Sequence, residues 1–321
     1  MKQKTIIGTL WSSVDRFASA GINFILGLVL ARLLLPKEYG LIAMISIFMA
    51  ISQSIIDSGF SNALIRKKNR TEADNSTTFY FNIVVGFIMY AVLFVLAPYI
   101  AEFYCEPILT SIIRVMGISL FFSSISIVQQ ALLTIKIDFK TQTKISLLSV
   151  IISGIIGIVI AYTGYGVWAL VAQAVIASFI RTLFLWFFVK WKPVTGFSME
   201  SFHYLFGYGS KLLISGIMET IYRNLYVIVI GKAFSALHLG FYSRGEQLSY
   251  FPANNITGVI QRVTFPVLSE IQDDEERLKR NFFKILHVVV YITFPVMILL
   301  IVTSLPLVKI VLTEKWLGCV P

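Results

Sequence analysis

Apolar residues run along this chain in long unbroken stretches, interrupted by short polar connections rather than alternating with them. Read as stretches of roughly 20 residues, each long enough to cross a bilayer as a helix, they predict spans at about 9–34, 39–65, 78–100, 108–133, 144–163, 165–189, 204–231, 238–266 and 281–304, with a tenth beginning near 306. A membrane β-barrel would need alternating segments of about ten residues, and there are none. The pattern predicts an all-α polytopic membrane protein.

Composition sharpens that reading. Hydrophobic residues make up 57% of the 321 residues and charged ones 14%, against about 25% charged in a soluble domain. Mean hydropathy is +0.80. The net charge of +10 could point to nucleic acid, but its placement does not. With a cytoplasmic N-terminus, the inside connections hold Lys2, Lys4, Arg66, Lys67, Lys68, Arg70, Lys136, Lys140, Lys144, Lys190, Lys192, Arg277, Lys279, Arg280 and Lys284. The outside ones hold only Arg32, Lys37 and Lys232. That asymmetry is the positive-inside bias of a membrane protein, so no nucleic-acid partner is expected. The first span carries Asp15 and Arg16 and is too long for a cleaved signal peptide. Cys105 and Cys319, and the scattered His203, His238 and His287, have no metal-binding or redox spacing. Trp168, Trp186 and Trp191 near span ends read as an aromatic belt.

The chain also repeats itself. "LARLLLPKEYGLIAM" at 30–44 is echoed by "IGKAFSALHLGFYSR" at 230–244, an offset of about 200 residues. Each echo follows an amphipathic lead-in and a long span, and each precedes a charged inside loop and an aromatic-led span, "TTFYFNIVV" or "NFFKILHVVV". A six-helix unit returns the chain to its starting side, so the second copy has the orientation of the first. Such parallel repeats are a transporter arrangement, with the substrate site between the lobes. The expected domains are a six-helix N-terminal lobe at 1–192, a cytoplasmic linker at 193–203, and the first part of a C-terminal lobe at 204–321. That last part holds about three and a half helices, so the second lobe is expected to be truncated.

Charges inside a span are costly and normally face a cavity or a partner. Here they fall on helical stripes: Ser12, Arg16, Ser19 and Asn23; Ser46, Gln53 and Asp57; Lys211, Ser215, Glu219 and Arg223; Arg244, Gln247, Asn255 and Arg262. The stripes sit on corresponding helices of the two copies and suggest one water-filled cavity with a slightly basic balance. Candidate substrate contacts are Arg16, Asn23, Gln53, Lys211, Arg223, Arg244, Asn255 and Arg262. Arginine suits bidentate holding of phosphate oxygens, so an anionic headgroup is the expected ligand. The competing readings are that Arg16, Arg244 and Arg262 snorkel to the headgroup layer, and that Glu219 and Arg223, spaced i, i+4, form a structural pair. Arg114 and Arg181 lie on no stripe and read as interfacial or structural.

In "ARLLLPKEYGLIAM", "GFSNALIRKK", "ALLTIKIDFK", "GYGVWALVAQ", "LGFYSRGEQL" and "VTFPVLSEIQDD" the chain resembles bacterial polysaccharide transporters. These are lipid-linked oligosaccharide flippases of the multidrug/oligosaccharidyl-lipid/polysaccharide (MOP) exporter superfamily. The resemblance implies a MOP-type two-lobe helical transporter that moves polyprenyl-pyrophosphate-linked repeat units to the outer leaflet of the bacterial inner membrane. The product would be O-antigen, capsule or exopolysaccharide. It further implies proton or sodium coupling without another cofactor, and a polysaccharide polymerase and chain-length regulator proteins as partners beside membrane lipids. Carried onto this chain, Arg16, Arg223 and Arg262 become headgroup candidates, and Asp57 or Glu219 ion-coupling candidates. The rivals are a multidrug exporter of the same superfamily, whose cavity should be acidic or aromatic, and an inactive truncated remnant. A membrane enzyme acting on the same glycolipid would need a sizeable outside loop, and these connections are only about 4–10 residues.

Overall fold

In hydrocarbon every backbone polar group must be bonded within the protein, so a spanning chain of this composition has to form helices. The computed structural model describes the backbone of residues 2–57, 59–252 and 275–320, and the side chains of Trp11 and, Glu275 excepted, of those residues from 18 onward. Its helices are α1 (Lys2–Leu33), α2 (Pro36–Asp57), α3 (Phe60–Arg66), α4 (Glu72–Tyr104), α5 (Leu109–Ile135), α6 (Phe139–Tyr162), α7 (Val167–Phe188) and α8 (Met199–Ala233). They continue in α9 (236–252) and α10 (Glu275–Val311), and a 3-10 turn covers Glu314–Cys319. Among the described residues seven helical segments are long and apolar enough to cross a membrane, and Ala18–Leu33 of α1 is a shorter apolar helix.

Local chemistry sets the helix starts. Thr71 and Asp74 form a reciprocal capping box at α4, with Asp74 Oδ2 accepting the Thr71 N–H at 2.8 Å. Asp138 caps α6 through the Thr141 N–H at 3.1 Å, and Ser198 caps α8 through Ser201 at 3.3 Å.

Three predicted spans take a different form. The second is broken rather than continuous: α2 stops at Asp57 and α3 restarts at Phe60, because Gly59 adopts the left-handed conformation, φ 67°. The ninth and tenth are one helix, which runs through Pro295 and Pro306 to Val311. Proline costs a helix one hydrogen bond and a clash, but a long apolar helix can absorb both. The break comes later, at Thr313, φ 89°.

The chain divides into two compact units, Met1–Leu239 and Gly240–Pro321. In the first, α4 packs on α5, α6 on α1 and α7, and α5 on α7, while α2 lies against α4, α5, α7 and α8. The interior mixes apolar side chains such as Leu30, Met44, Ile45 and Leu120 with small hydroxylic ones: Ser52, Ser124, Ser126, Thr143, Ser149 and Ser153 are all buried. Large apolar residues point outward, with Phe87 at 62% and Val95 at 64% exposed. An apolar exterior around a core that also buries hydroxyls fits lipid surroundings, where close backbone approach and interhelical hydrogen bonds help hold helices together. Ser178 Oγ donates to the Ser119 carbonyl at 3.0 Å and Thr182 Oγ1 to the Phe122 carbonyl at 2.8 Å, joining α7 to α5. In the second unit Trp316 is fully buried and meets Phe241 edge-on at 6.4 Å.

The echoed turns meet. A Cβ built on Gly40 of the first turn would lie 1.6 Å from the Ala236 carbonyl oxygen of the second, and one on Gly59 would lie 2.6 Å from the Gly209 carbonyl oxygen. Between these contacts Ser54 and Thr220 share a hydrogen bond at 3.2 Å, so α2 and α8 touch along their length. Gly40→Ala is expected to cost about 1–3 kcal/mol by overpacking. Gly21→Ala, which meets nothing within 4 Å, should be neutral or slightly stabilising. Thermal unfolding of the two variants in detergent checks this; equal midpoints would refute the close seam.

Candidate functional site

Helices α2, α3, α5 and α7 bring polar residues together around a cavity of about 350 Å3. Gln53 and Asp57 stand one turn apart on α2, and Gln53 Nε2 donates to Asp57 Oδ1 at 3.2 Å. From α7, Arg181 Nη2 donates to Gln130 Oε1 of α5 at 3.3 Å, and Arg181 lines the same cavity as Asp57. Ser61, Asn62, Ser123, Ser126, Ser178 and Thr182 complete the polar wall. A carboxylate and a guanidinium, each also held by an amide, can exchange a proton or small cation for their mutual attraction. Among the described residues no three His, Cys, Asp or Glu converge as a metal site.

Two of the sequence candidates fall on this cavity. Gln53 and Asp57 lie on its wall, whereas Arg181 had looked isolated because a stripe is visible only within one helix. A signal was present: Ser178, Arg181 and Thr182 share a face at i, i+3, i+4, and Ser123, Ser126 and Gln130 share one at i, i+3, i+7.

The other candidates are dispersed. Lys211 lies at the far end of α3, in a second pocket with Arg66, Lys67 and Lys68. Glu219 and Arg223 do pair, at 2.8 Å, on an exposed face of α8. Asn23 is exposed on α1. Arg244 is buried in the second unit, donating to Gln247 at 2.5 Å and lying 5.9 Å from the Trp316 ring. Arg16 is on α1, but its side chain lies outside the described residues, as do Asn255 and Arg262. Arg114 lies over the Phe94 ring at 4.3 Å, and Trp191 donates to Glu72 at 2.8 Å.

A family model described as polysaccharide biosynthesis protein matches residues 29–321. The chain belongs to that family. It is 28% identical over 329 residues to the lipopolysaccharide biosynthesis protein WzxC of Escherichia coli K12, covering 100% of this chain and 66% of that protein. It is 27% identical over 317 residues to the teichuronic acid biosynthesis protein TuaB of Bacillus subtilis, covering 98% and 65%. The chain thus spans about two thirds of the length of these curated relatives. Its fold is similar to that of the lipid II flippase MurJ in an inward closed conformation, with a TM-score of 0.77 at 14% identity over 97% of this chain and 70% of that one. It is also similar to an inward-facing multidrug resistance transporter of the MATE family and MOP superfamily, with a TM-score of 0.71 at 13% identity over 98% and 78%. The fold is therefore of the MOP type, as the sequence resemblance implied.

A water-filled cavity has a direct test. With Cys105 and Cys319 changed to Ser, a cysteine at Ser61 or Gln130 should react with an aqueous thiol reagent at least about tenfold faster than one at lipid-facing Val84 or Val95, because the reactive thiolate needs water. Equal rates would mean the cavity is dry.

Proposed function

We propose that this chain is the part of a flippase that carries polyprenyl-pyrophosphate-linked oligosaccharide repeat units across the bacterial inner membrane by alternating access. The product would be a surface polysaccharide: O-antigen, capsule or exopolysaccharide. The observation that carries this reading is the charged, hydrogen-bonded cavity among Asp57, Gln53, Gln130 and Arg181, set inside helices whose outer faces are apolar. A sugar headgroup cannot enter hydrocarbon without losing its hydrogen bonds, at several kcal/mol for each unpaired group. A polar interior reached from one side at a time removes that penalty while the polyprenyl tail stays in lipid.

In this reading the two lobes are residues 1–192 and the chain from 204 onward, joined by the linker at 193–203. The family of polysaccharide biosynthesis proteins and the similarity to WzxC and TuaB support a lipid-linked sugar as cargo. Arg16, Arg223 and Arg262 are the headgroup candidates, with Arg181 added from the cavity. Asp57 is the coupling residue: when protonated it no longer offsets Arg181 and releases Gln53, which changes the charge of the cavity wall by one unit. Glu219 is the alternative, since its exposed pair with Arg223 is easily exchanged. Polysaccharide polymerase and chain-length regulator proteins would receive the product.

Reconstituted in vesicles with a fluorescent polyprenyl-pyrophosphate glycolipid, the chain should move the lipid faster under an imposed proton or sodium gradient. Asp57→Asn should abolish the gradient dependence, and Arg181→Gln should slow movement by about tenfold, the effect of one charge-assisted contact. Movement of a cationic dye in place of the glycolipid would instead support a drug exporter.

The N-terminus is cytoplasmic in this reading, so exposed Cys105 on the α4–α5 connection faces outward. An impermeant maleimide added to intact spheroplasts should label Cys105. Cys319 should react far more slowly, because burial pushes its thiol up to about 11. Labelling of Cys105 only after lysis would invert the topology.

A further inference from the structure

A second pocket, of about 740 Å3, opens between the end of α3 with its following loop and the first turns of α8. Arg66, Lys67, Lys68 and Lys211 line it, and its lining includes no carboxylate. Among the described residues, Lys67 is the one of these four with an ion pair, to buried Asp74 at 2.8 Å. We infer that this pocket binds the phosphate of a lipid headgroup, at a site separate from the Asp57–Arg181 cavity.

Two of the four cations are held against aromatic rings. The Arg66 guanidinium lies 4.5 Å from the Tyr208 ring centre and the Lys67 ammonium 4.6 Å from that of Tyr204. Both tyrosines belong to α8, whose position against α3 is set by stacking beneath the pocket. Phe60 and Phe81 stack at 4.4 Å, Phe81 meets Phe202 at 5.3 Å, and Phe202 stacks on Phe206 at 5.3 Å. The backbone ahead of α8 is anchored too, with the Ser198 N–H donating to Thr77 Oγ1 at 2.9 Å. Ordering entropy that a binding site would otherwise lose to its ligand is therefore spent in folding.

Lys68 and Lys211 are exposed and form no ion pair among the described residues, so they present open charge to an incoming anion. Tyr204, which lines the pocket, is 60% exposed. Aromatic rims at the ends of spanning helices sit at the headgroup level, which lets a bound lipid keep its chains in the bilayer. An anion here would touch α3 and α8 at once and clamp them together. The chemistry fits a diphosphate on a polyprenyl chain and equally the phosphodiester of an ordinary anionic bilayer lipid.

The test uses the full chain in phosphatidylcholine nanodiscs doped with either undecaprenyl pyrophosphate or phosphatidylglycerol, with retained lipid counted by native mass spectrometry. The wild-type chain should retain the doped lipid. Lys68→Gln with Lys211→Gln should retain at least about tenfold less, with each single change intermediate, since two charge-assisted contacts are lost. Lys279→Gln with Lys284→Gln removes the same charge elsewhere and should change nothing. Retention of both lipids would identify a site for resident bilayer phospholipid. Retention of the diphosphate alone would place the site on the path of the proposed cargo. Phosphatidylglycerol binding stands even if the chain moves no glycolipid. Equal retention by wild type and the Lys68/Lys211 variant, equal loss in the Lys279/Lys284 control, or no retention of either lipid would overturn the inference.

Discussion

Lipid gives helices no hydrophobic reason to associate, and that constraint shapes everything in the first unit. Apolar clusters such as Leu133, Ile145 and Leu185 fill part of this interior, but buried serines and threonines lie among them, while Phe87, Val95 and their like are on the surface. Hydroxyl-to-carbonyl bonds such as Thr182 to Phe122 do double duty: they satisfy a polar group that has no water and they hold two helices in register. The α2–α8 seam, where glycine meets carbonyl at Gly40 and Gly59, is the extreme case of close approach.

The same constraint explains why the polar cavity can exist. Arg181, Asp57, Gln53 and Gln130 would be prohibitively costly if they faced lipid, so the helices that carry them must turn those faces toward one another. The Gln53–Asp57 and Arg181–Gln130 hydrogen bonds pair these groups within the cavity wall.

The basic pocket follows another logic. It lies at the α3–α8 junction, on chain segments that carry the positive-inside charge read from the sequence. There the tyrosines turn topological charge into an ordered anion-binding surface. A residue that orients a membrane protein can thus also recognise a headgroup, because both tasks draw on the same attraction between cations and phosphate.

The amino-acid sequence alone determined that the chain is helical and membrane-spanning, because hydropathy and length act within each segment and need no neighbours. It also determined the likeness of the two turns, the Glu219–Arg223 pair one helical turn apart, and the family, since these too are local or linear properties. Only the tertiary structure decided which polar faces meet. Asp57 finds Arg181 across three helices, Lys211 joins Arg66 and Lys68 rather than the cavity, and Arg244 is buried against Trp316. Likewise Gly59 breaks a span that hydropathy reads as continuous, while Pro306 fails to break another, because hydropathy carries no information on backbone torsion. Helical periodicity specifies the face on which a residue sits; what that face meets depends on helix–helix packing, which is a property of pairs of segments distant in sequence.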